Sequence, residues 1–285
     1  MKRFLALLSV LMMLLSAAGA QEEETAPLLE VHQMAIGYAD GYYIRCGDIE
    51  IIIDGGNPNP QWPTEDVVNY LRAVGATTLD ACIITHWHKD HCDNVNVVLA
   101  EFGGENTVTY SPSEEVHPDY APLANGTYMQ MKADDVIRLG DLTITCVGPS
   151  EIKYRGRENG DSLNFVLQYG TRRFLFTGDY GQSKDIVARA ELCANVDVLK
   201  FPHHGSEPFE IKPAAMKVLN PSYVLIPSTF NNYKVFRYFT DQGVEVIREN
   251  VLTQREGHIV IVTDGGDLFE ARTQQDPAAY APDNQ

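Results

Sequence analysis

The sequence predicts an α/β fold, an α/β/β/α sandwich in which two mixed sheets pack face to face with helices outside. Three observations predict it. Short β-type runs cluster near the N-terminus and again in mid-chain, each cluster is followed by helical segments, and neither a short-period repeat nor an interior linker divides the chain. Each sheet-plus-helix half then buries its apolar face against the other sheet, as layered domains do.

Taken in order, Val31–Ile36, Tyr42–Cys46 and Ile49–Ile53 read as strands, the last ending at the loop signal Asp54-Gly55-Gly56-Asn57-Pro58. Thr64 to Val74 reads as a helix, with Thr64 as N-cap and Gly75 as its stop. Leu79–Thr85 reads as a buried strand, and a second helix is expected from about Asp93 to Phe102. Gly103 to Asp141 is rich in Pro, Ser, Asp and Asn and is expected to be irregular, with a loop bordering the active site. Leu142–Val147, Leu163–Tyr169 and Arg172–Thr177 read as strands, the last two joined by a hairpin at Gly170. Helices then alternate with single apolar strands: Ser183–Leu192 before Val196–Phe201, Pro213–Leu219 before Tyr223–Ile226, and Val235–Gln242 before Val244–Ile247. A strand pair, His258–Thr263 and Asp267–Glu270, closes the chain around Asp264-Gly265-Gly266. Residues 28–272 read as one domain and 273–285 as a disordered polar tail.

The first 20 residues read as a processing segment. Lys2 and Arg3 precede the apolar run Phe4 to Leu15, which ends at Ala18-Gly19-Ala20. That order is the grammar of a secretory signal peptide cleaved before Gln21, and the run is short of the ~20 residues that span a bilayer. Secretion is therefore expected, followed by a flexible acidic leader over 21–27, and no later segment is apolar enough to cross a membrane. Loss of Lys2 and Arg3 takes the formal charge from −17 to −19. So acidic an exterior counts against a strong nucleic-acid-binding surface, although it does not exclude phosphodiester chemistry at a bound metal. Cys46, Cys82, Cys92, Cys146 and Cys193 are scattered, odd in number and without a CxxC pair, so they read as small buried residues rather than a disulfide framework.

The segment that carries chemistry is His86-Trp87-His88-Lys89-Asp90-His91, placed directly after an apolar strand. Alternate residues of an extended loop point the same way, so His86 and His88 can reach one metal ion, while Asp90 and His91 address a second. Imidazole and carboxylate suit zinc, and also manganese and iron. Two other strand ends complete the set: Thr177-Gly178-Asp179, and Lys200-Phe201-Pro202-His203-His204-Gly205-Ser206. Together they supply ligands for two divalent metals, with Asp179 suited to bridge a pair ~3.5–4 Å apart that holds an activated hydroxide. Cys92 reads as a residue turned into the following helix rather than a ligand. Lys153, Arg155 and Arg157 form a basic cluster that reads as a solvated loop before a phosphate site, and Tyr233, Phe236, Tyr238 and Phe239 have the helical spacing of core packing.

The order Asp54, His86-x-His88-x-Asp90-His91, Asp179, His203 resembles the metallo-β-lactamase superfamily. Asn159 to Leu163, Phe165 to Asp179, Leu199 to Ser206 and Gly257 to Gly265 resemble the hydrolase domain of ComEC-type competence proteins, over roughly Leu28 to Ala271. The resemblance implies a metallo-β-lactamase αββα sandwich and phosphodiester hydrolysis, with DNA as the substrate proposed for competence proteins. It implies that His86, His88, Asp90, His91 and Asp179 are metal ligands, that one of His203 and His204 is the last ligand and the other a partner of the transition state, and that Asp90, His203 and His204 carry the catalysis. Asp54, Asp161 and Ser162 are implied as residues that orient the ligands. The chain departs from the pattern in three places. No His precedes the Asp179 region, where Asn159, Asp161 and Ser162 stand, so the first site (His86, His88) is weak, differently ligated or filled only with substrate. Cys92-Asp93-Asn94 stands where the family usually carries Gly, and Asn231-Asn232-Tyr233 stands where relatives often show His-Pro.

The expected function is a secreted metal-dependent phosphodiesterase, nuclease-like, using two zinc ions or manganese. The alternatives are a cell-surface phosphoester esterase of the phosphorylcholine type, a thioester, lactone or lactam hydrolase, and a metal-binding module without catalysis.

Overall fold

The computed structural model describes residues 26–58, 64–118, 126–229 and 232–274. The expected signal segment, most of the leader, Asn231 and the tail beyond 274 lie outside the described residues. The first sheet holds β1 (Leu29–Gln33), β2 (Gly41–Cys46), β3 (Ile49–Gly55), β4 (Leu79–Ile83), β5 (Gly103–Ser111), β6 (Thr127–Gln130), β14 (His258–Thr263) and β15 (Phe269–Gln274). Its order is β15-β14-β1-β2-β3-β4-β5-β6. The second holds β7 (Val136–Leu139), β8 (Leu142–Gly148), β9 (Asn164–Tyr169), β10 (Arg172–Phe176), β11 (Val198–Lys200), β12 (Tyr223–Ile226) and β13 (Val251–Thr253), in the order β13-β12-β11-β10-β9-β8-β7. Both sheets are mixed. β3, β4, β5 and β6 run parallel in the first, and β10, β11, β12 and β13 in the second; the remaining pairs are antiparallel.

Side-chain alternation explains the four layers. Ile51, Ile53, Ala81 and Ile83 meet Phe174, Phe176, Val198 and Leu225 in one core between the sheets. Their neighbours face the other way: Ile52, Cys82 and Ile84 pack under α1 (Thr64–Ala73) and α3 (Val95–Phe102) with Leu71, Val95 and Leu99. Leu175, Leu199 and Val224 pack under α4 (Ser183–Ala188), α6 (Pro213–Leu219) and α7 (Asn232–Asp241) with Ile186, Met216 and Phe239. Short helices α2 (Lys89–Cys92) and α5 (Ala190–Cys193) complete the set. Strands this apolar on both faces require cover on both. All five cysteines are free and buried.

Two expectations are corrected. The segment 103–141 contains β5, β6 and β7 rather than a long irregular stretch. β6 and β7 lie at sheet edges, span four residues each and alternate exposed with half-buried residues, so each is too short to stand out from the polar loops around it. Val244–Ile247 is not a strand. Val244 and Val246 are buried in the outer core, but the position beside β12 belongs to β13. Among the described residues no helix is long and apolar enough to cross a membrane.

One buried group outside the site makes the fold sensitive to acid. His258, at the start of β14, accepts the Ala35 N–H through Nδ1 at 3.0 Å, and its ring stacks on Tyr70 at 4.0 Å. Burial, with a smaller contribution from nearby His32, lowers its pKa to about 4. The unfolded chain takes up that proton near pH ~6.5, so the stabilisation is complete above this value and is lost as pH falls toward 4. About 3 kcal/mol is expected to disappear over that window. Urea midpoints across it should fall steeply for the parent and more shallowly for His258→Gln.

Candidate metal centre

The parallel strands of both sheets deliver their C-terminal ends to one edge, where open α/β sheets place their ligands. Asp54, the last residue but one of β3, is held at φ 53°. β4 leads through Thr85 into His86-Trp87-His88. Trp87 is buried in the apolar layer beneath the helices, so the two flanking imidazoles turn to the opposite side. α2 then presents Asp90 and His91. β10 leads into Gly178, whose φ is +54° and whose missing Cβ would stand 2.9 Å from Ser162 and 3.0 Å from Thr85. Only glycine permits that approach, and it sets Asp179 at the centre. β11 leads to His203 and His204, at φ 52° and 51°. Two consecutive left-handed histidines are strained backbone, of the kind that gathers at functional sites.

His86, His88 and His91 each have one nitrogen engaged outside the centre and the other left for it, whereas His204 bonds to Asp90 through Nε2 and only faces Asp40 with Nδ1. His91 Nδ1 donates to Asp54 Oδ2 at 2.7 Å, and its Nε2 lies 3.1 Å from Asp179 Oδ1. His88 Nε2 donates to the Arg157 carbonyl at 3.0 Å, leaving Nδ1 for the centre. His86 Nδ1 lies 3.3 Å from Thr85 Oγ1, and its Nε2 lies 3.7 Å from Asp179 Oδ2. His204 Nδ1 lies 3.2 Å from Asp40 Oδ1, while its Nε2 lies 3.2 Å from Asp90 Oδ2 and 3.5 Å from Asp179 Oδ1. Three groups result, each with its donor atoms within 4.8 Å of one another: Asp90, His91, Asp179 and His204; His86, His88 and Asp179; and Asp40, Asp54 and His91. In the third, His91 Nδ1 is already bonded to Asp54 and Asp40 is paired with the Lys200 ammonium, so the first two are the ones that offer an ion free lone pairs. The buried His86 Nε2, His91 Nε2 and Asp179 Oδ1 make no hydrogen bond among the described residues. Buried polar atoms are rarely left in that state. Converging imidazole and carboxylate lone pairs without donors fit a divalent cation.

Electrostatics agree. Burial holds His86 well below the ordinary imidazole range and keeps its lone pair available. Burial would raise Asp179, but His91 and His204 hold it well below the carboxylate range. Burial would likewise lower His91, yet Asp179, Asp54 and Asp40 together raise it well above its usual value. Four carboxylates around this edge thus demand positive charge.

Residues 59–227 match the β-lactamase superfamily domain, more than half of the chain. The chain belongs to the metallo-β-lactamase superfamily. ComE operon protein 3 of Bacillus subtilis is 25% identical over 194 residues, 64% of this chain and 25% of that protein, so the chain spans about a quarter of that relative. A metal-dependent hydrolase of Thermoplasma acidophilum is 23% identical over 161 residues, 55% of this chain and 68% of that one. The metallo-β-lactamase fold protein YhfI of Bacillus subtilis shares the fold, with a TM-score of 0.56 at 15% identity over 82% of this chain and 100% of that one. The family model places the chain in the superfamily, and its relatives include a protein described as a metal-dependent hydrolase.

Within this metallo-β-lactamase fold the other expected residues fall as follows. His203 lies outside both groups, a third exposed, with Nε2 3.9 Å from Asp179 Oδ2 and 3.5 Å from Asn159 Nδ2. Asp54 also accepts from Thr85 N–H and Oγ1 at 2.8 and 2.7 Å, so it fixes the start of the His-rich loop. Ser162 Oγ accepts the Asp179 N–H at 3.1 Å. Among the described residues the Asp161 carboxylate hydrogen-bonds to no candidate ligand; it accepts the N–H groups of Lys153, Tyr154 and Gly156. It acts one step removed, since the Gly156 carbonyl accepts the Trp87 N–H at 2.7 Å. Cys92 donates its thiol to the His88 carbonyl and packs in the outer apolar layer. Of the aromatic group, Phe239 is buried, the Tyr238 hydroxyl donates to the Ile211 carbonyl, and Tyr233 is exposed.

Sequence reasoning missed Asp40, Lys200, Thr85 and Tyr38. Tyr38 lays its ring 4.3 Å from that of His204, with its hydroxyl hydrogen-bonded to Ser206 Oγ. A lysine inside the apolar run Val198-Leu199-Lys200-Phe201 was the available signal, because buried ammonium groups require a partner.

Proposed function

We propose that this protein is an extracellular, nuclease-like metal-dependent phosphodiesterase that holds two divalent ions, zinc or else manganese. The observation that carries the reading is the division of Asp179, whose Oδ1 faces His91 and His204 while Oδ2 faces His86. One carboxylate shared by two donor groups is the arrangement a paired-metal phosphoryl site needs. Bound divalent ions would supply a water nucleophile of lowered pKa and screen the charge on the phosphate oxygens. His86 and His88 would hold one ion, Asp90, His91 and His204 the other, and Asp179 would serve both. Asp54, Thr85 and Ser162 fix these side chains in place. His203, outside both groups at the rim, would give the proton of its imidazolium to the leaving oxygen and be left as the neutral imidazole. The resemblance of the Asn159–Asp179 and Leu199–Ser206 motifs to competence-protein hydrolase domains supports a phosphodiester substrate, and the charge pattern of residues 1–20 supports export. A second reading, a cell-surface phosphoester of the phosphorylcholine type, draws on the net charge of −17, which disfavours long polyanions.

The protein lacking residues 1–20, loaded with zinc or manganese, is expected to hydrolyse bis-p-nitrophenyl phosphate. Asp90→Ala should lose bound metal and turnover while its circular dichroism matches the parent. Parent protein that binds metal but leaves this diester intact would refute the phosphodiesterase reading, and full activity and metal content in Asp90→Ala would refute the ligand assignment.

A further inference from the structure

Asp40 and Lys200 lie behind the centre, and neither belongs to the two donor groups proposed to hold the ions. Both are buried, each about 1% exposed. Lys200 Nζ stands 2.5 Å from Asp40 Oδ2 and donates to the Gly178 carbonyl at 2.5 Å. The same ammonium lies 3.9 Å from Asp179 Oδ1. Asp40 Oδ1 lies 3.2 Å from His204 Nδ1, and Asp40 Oδ2 lies 3.6 Å from His91 Nδ1. One ion pair therefore joins three segments: the turn before β2, the peptide before Asp179, and the strand that leads to His204.

Burying two charges costs several kcal/mol for each ion, and packed apolar residues of similar volume often do as well for stability. A pair retained in this place calls for a role beyond holding the fold together. His204 has two nitrogens: Nε2 is bonded to Asp90 Oδ2 at 3.2 Å and lies 3.5 Å from Asp179 Oδ1, while Nδ1 and Asp40 Oδ1 face each other at 3.2 Å with no other partner for either atom among the described residues. An ion placed between Nε2 and the two carboxylates would take the Nε2 lone pair and send the ring proton to Nδ1, where Asp40 receives it. A carboxylate opposite Nδ1 keeps the ring proton on Nδ1 and leaves the Nε2 lone pair free for a cation. An amide in that position enforces no such choice, because it offers both a donor and an acceptor. The ammonium on the far side keeps the buried carboxylate ionised, and its bond to the Gly178 carbonyl fixes the peptide on which Asp179 is carried.

We infer that Asp40, anchored by Lys200, is the positioning residue that sets the tautomer and orientation of His204, and that Lys200 fixes the Asp179 peptide in the same act. The inference rests on the metal-centre reading above and is independent of which ester is cleaved.

Asp40→Asn and the double variant Asp40→Asn/Lys200→Met test it. Zinc affinity, measured by competition with a chromophoric chelator, should fall about 10–100-fold in Asp40→Asn, the range found when such outer partners are removed. Nitrogen NMR of histidine-labelled, metal-free protein at alkaline pH should show the Nδ1-protonated tautomer of His204 in the parent and its loss in the variant. The double variant removes the ammonium left unpaired, so it should regain thermal stability without regaining zinc affinity. Parent-like affinity with an unchanged His204 tautomer in Asp40→Asn would overturn the inference. So would a double variant that recovers zinc affinity along with stability, because the pair would then act through folding alone. A parent that binds zinc but does not cleave diesters removes the phosphodiesterase reading and leaves both readouts in force. A parent that binds neither zinc nor manganese removes this inference together with the metal centre.

Discussion

Asp179→Asn is expected to weaken both metal positions at once and to reduce hydrolysis about 10³-fold or more, equivalent to ~4 kcal/mol of lost transition-state stabilisation. The variant keeps the side-chain shape but places an NH2 group where one oxygen stood and removes the negative charge. Oδ1 faces His91 Nε2 at 3.1 Å and His204 Nε2 at 3.5 Å, whereas Oδ2 faces His86 Nε2 at 3.7 Å. Whichever way the amide turns, one group loses an acceptor and meets a donor instead. Asp90→Ala differs in kind, because Asp90 belongs to one group only. Metal content by mass spectrometry separates the two: Asp90→Ala should lose the ion beside His91 and His204 first, while Asp179→Asn should lose both. Two ions retained at parent affinity in Asp179→Asn would remove the bridging role. The fold is expected to survive, since the Asp179 N–H remains bonded to Ser162 Oγ.

How much of this was legible in the sequence follows from where each residue sits in its strand. The His-rich loop, Asp179 and the paired histidines all follow apolar strands, so alternation and a strand end were enough to find them. The layers were legible for the same reason, because Ile51-Ile52-Ile53 and Phe174-Leu175-Phe176 are apolar on both faces and call for cover on both. Asp40 was not legible. It stands at the N-terminal end of β2, and reaches the site edge because β2 runs antiparallel to β3, with Gly41 paired to Gly55. That is a fact of register, which spacing does not encode. The edge strands within 103–141 were lost because each is only four residues long and set among Pro-, Asp- and Asn-rich loops. The partners of Asp161 were not legible either, since its place in the chain beside Ser162 says nothing of which N–H groups its carboxylate meets. His203 and His204 stayed undivided because the choice depends on two successive left-handed residues, and their φ values appear only in the folded backbone.

That division yields the second large expected effect. His204→Ala should lose the ion held with Asp90 and His91 and drop activity to background, because the His204 Nε2 reaches both carboxylates at 3.2 and 3.5 Å and no water replaces so buried a group at equal strength. His203→Ala should retain both ions. Its imidazole belongs to neither donor group, and a third of it is open to solvent. The loss should instead fall on kcat, by about 10²–10⁴-fold, the usual contribution of a positioned general acid. A proton delivered to the leaving oxygen matters most when that oxygen is a poor leaving group. The His203→Ala deficit should therefore be small for a nitrophenyl ester and large for an alkyl phosphodiester, whereas the His204→Ala deficit should be similar for both. Equal deficits across leaving groups in His203→Ala, with metal lost, would make His203 a ligand. Equal deficits with metal retained would confine it to binding substrate.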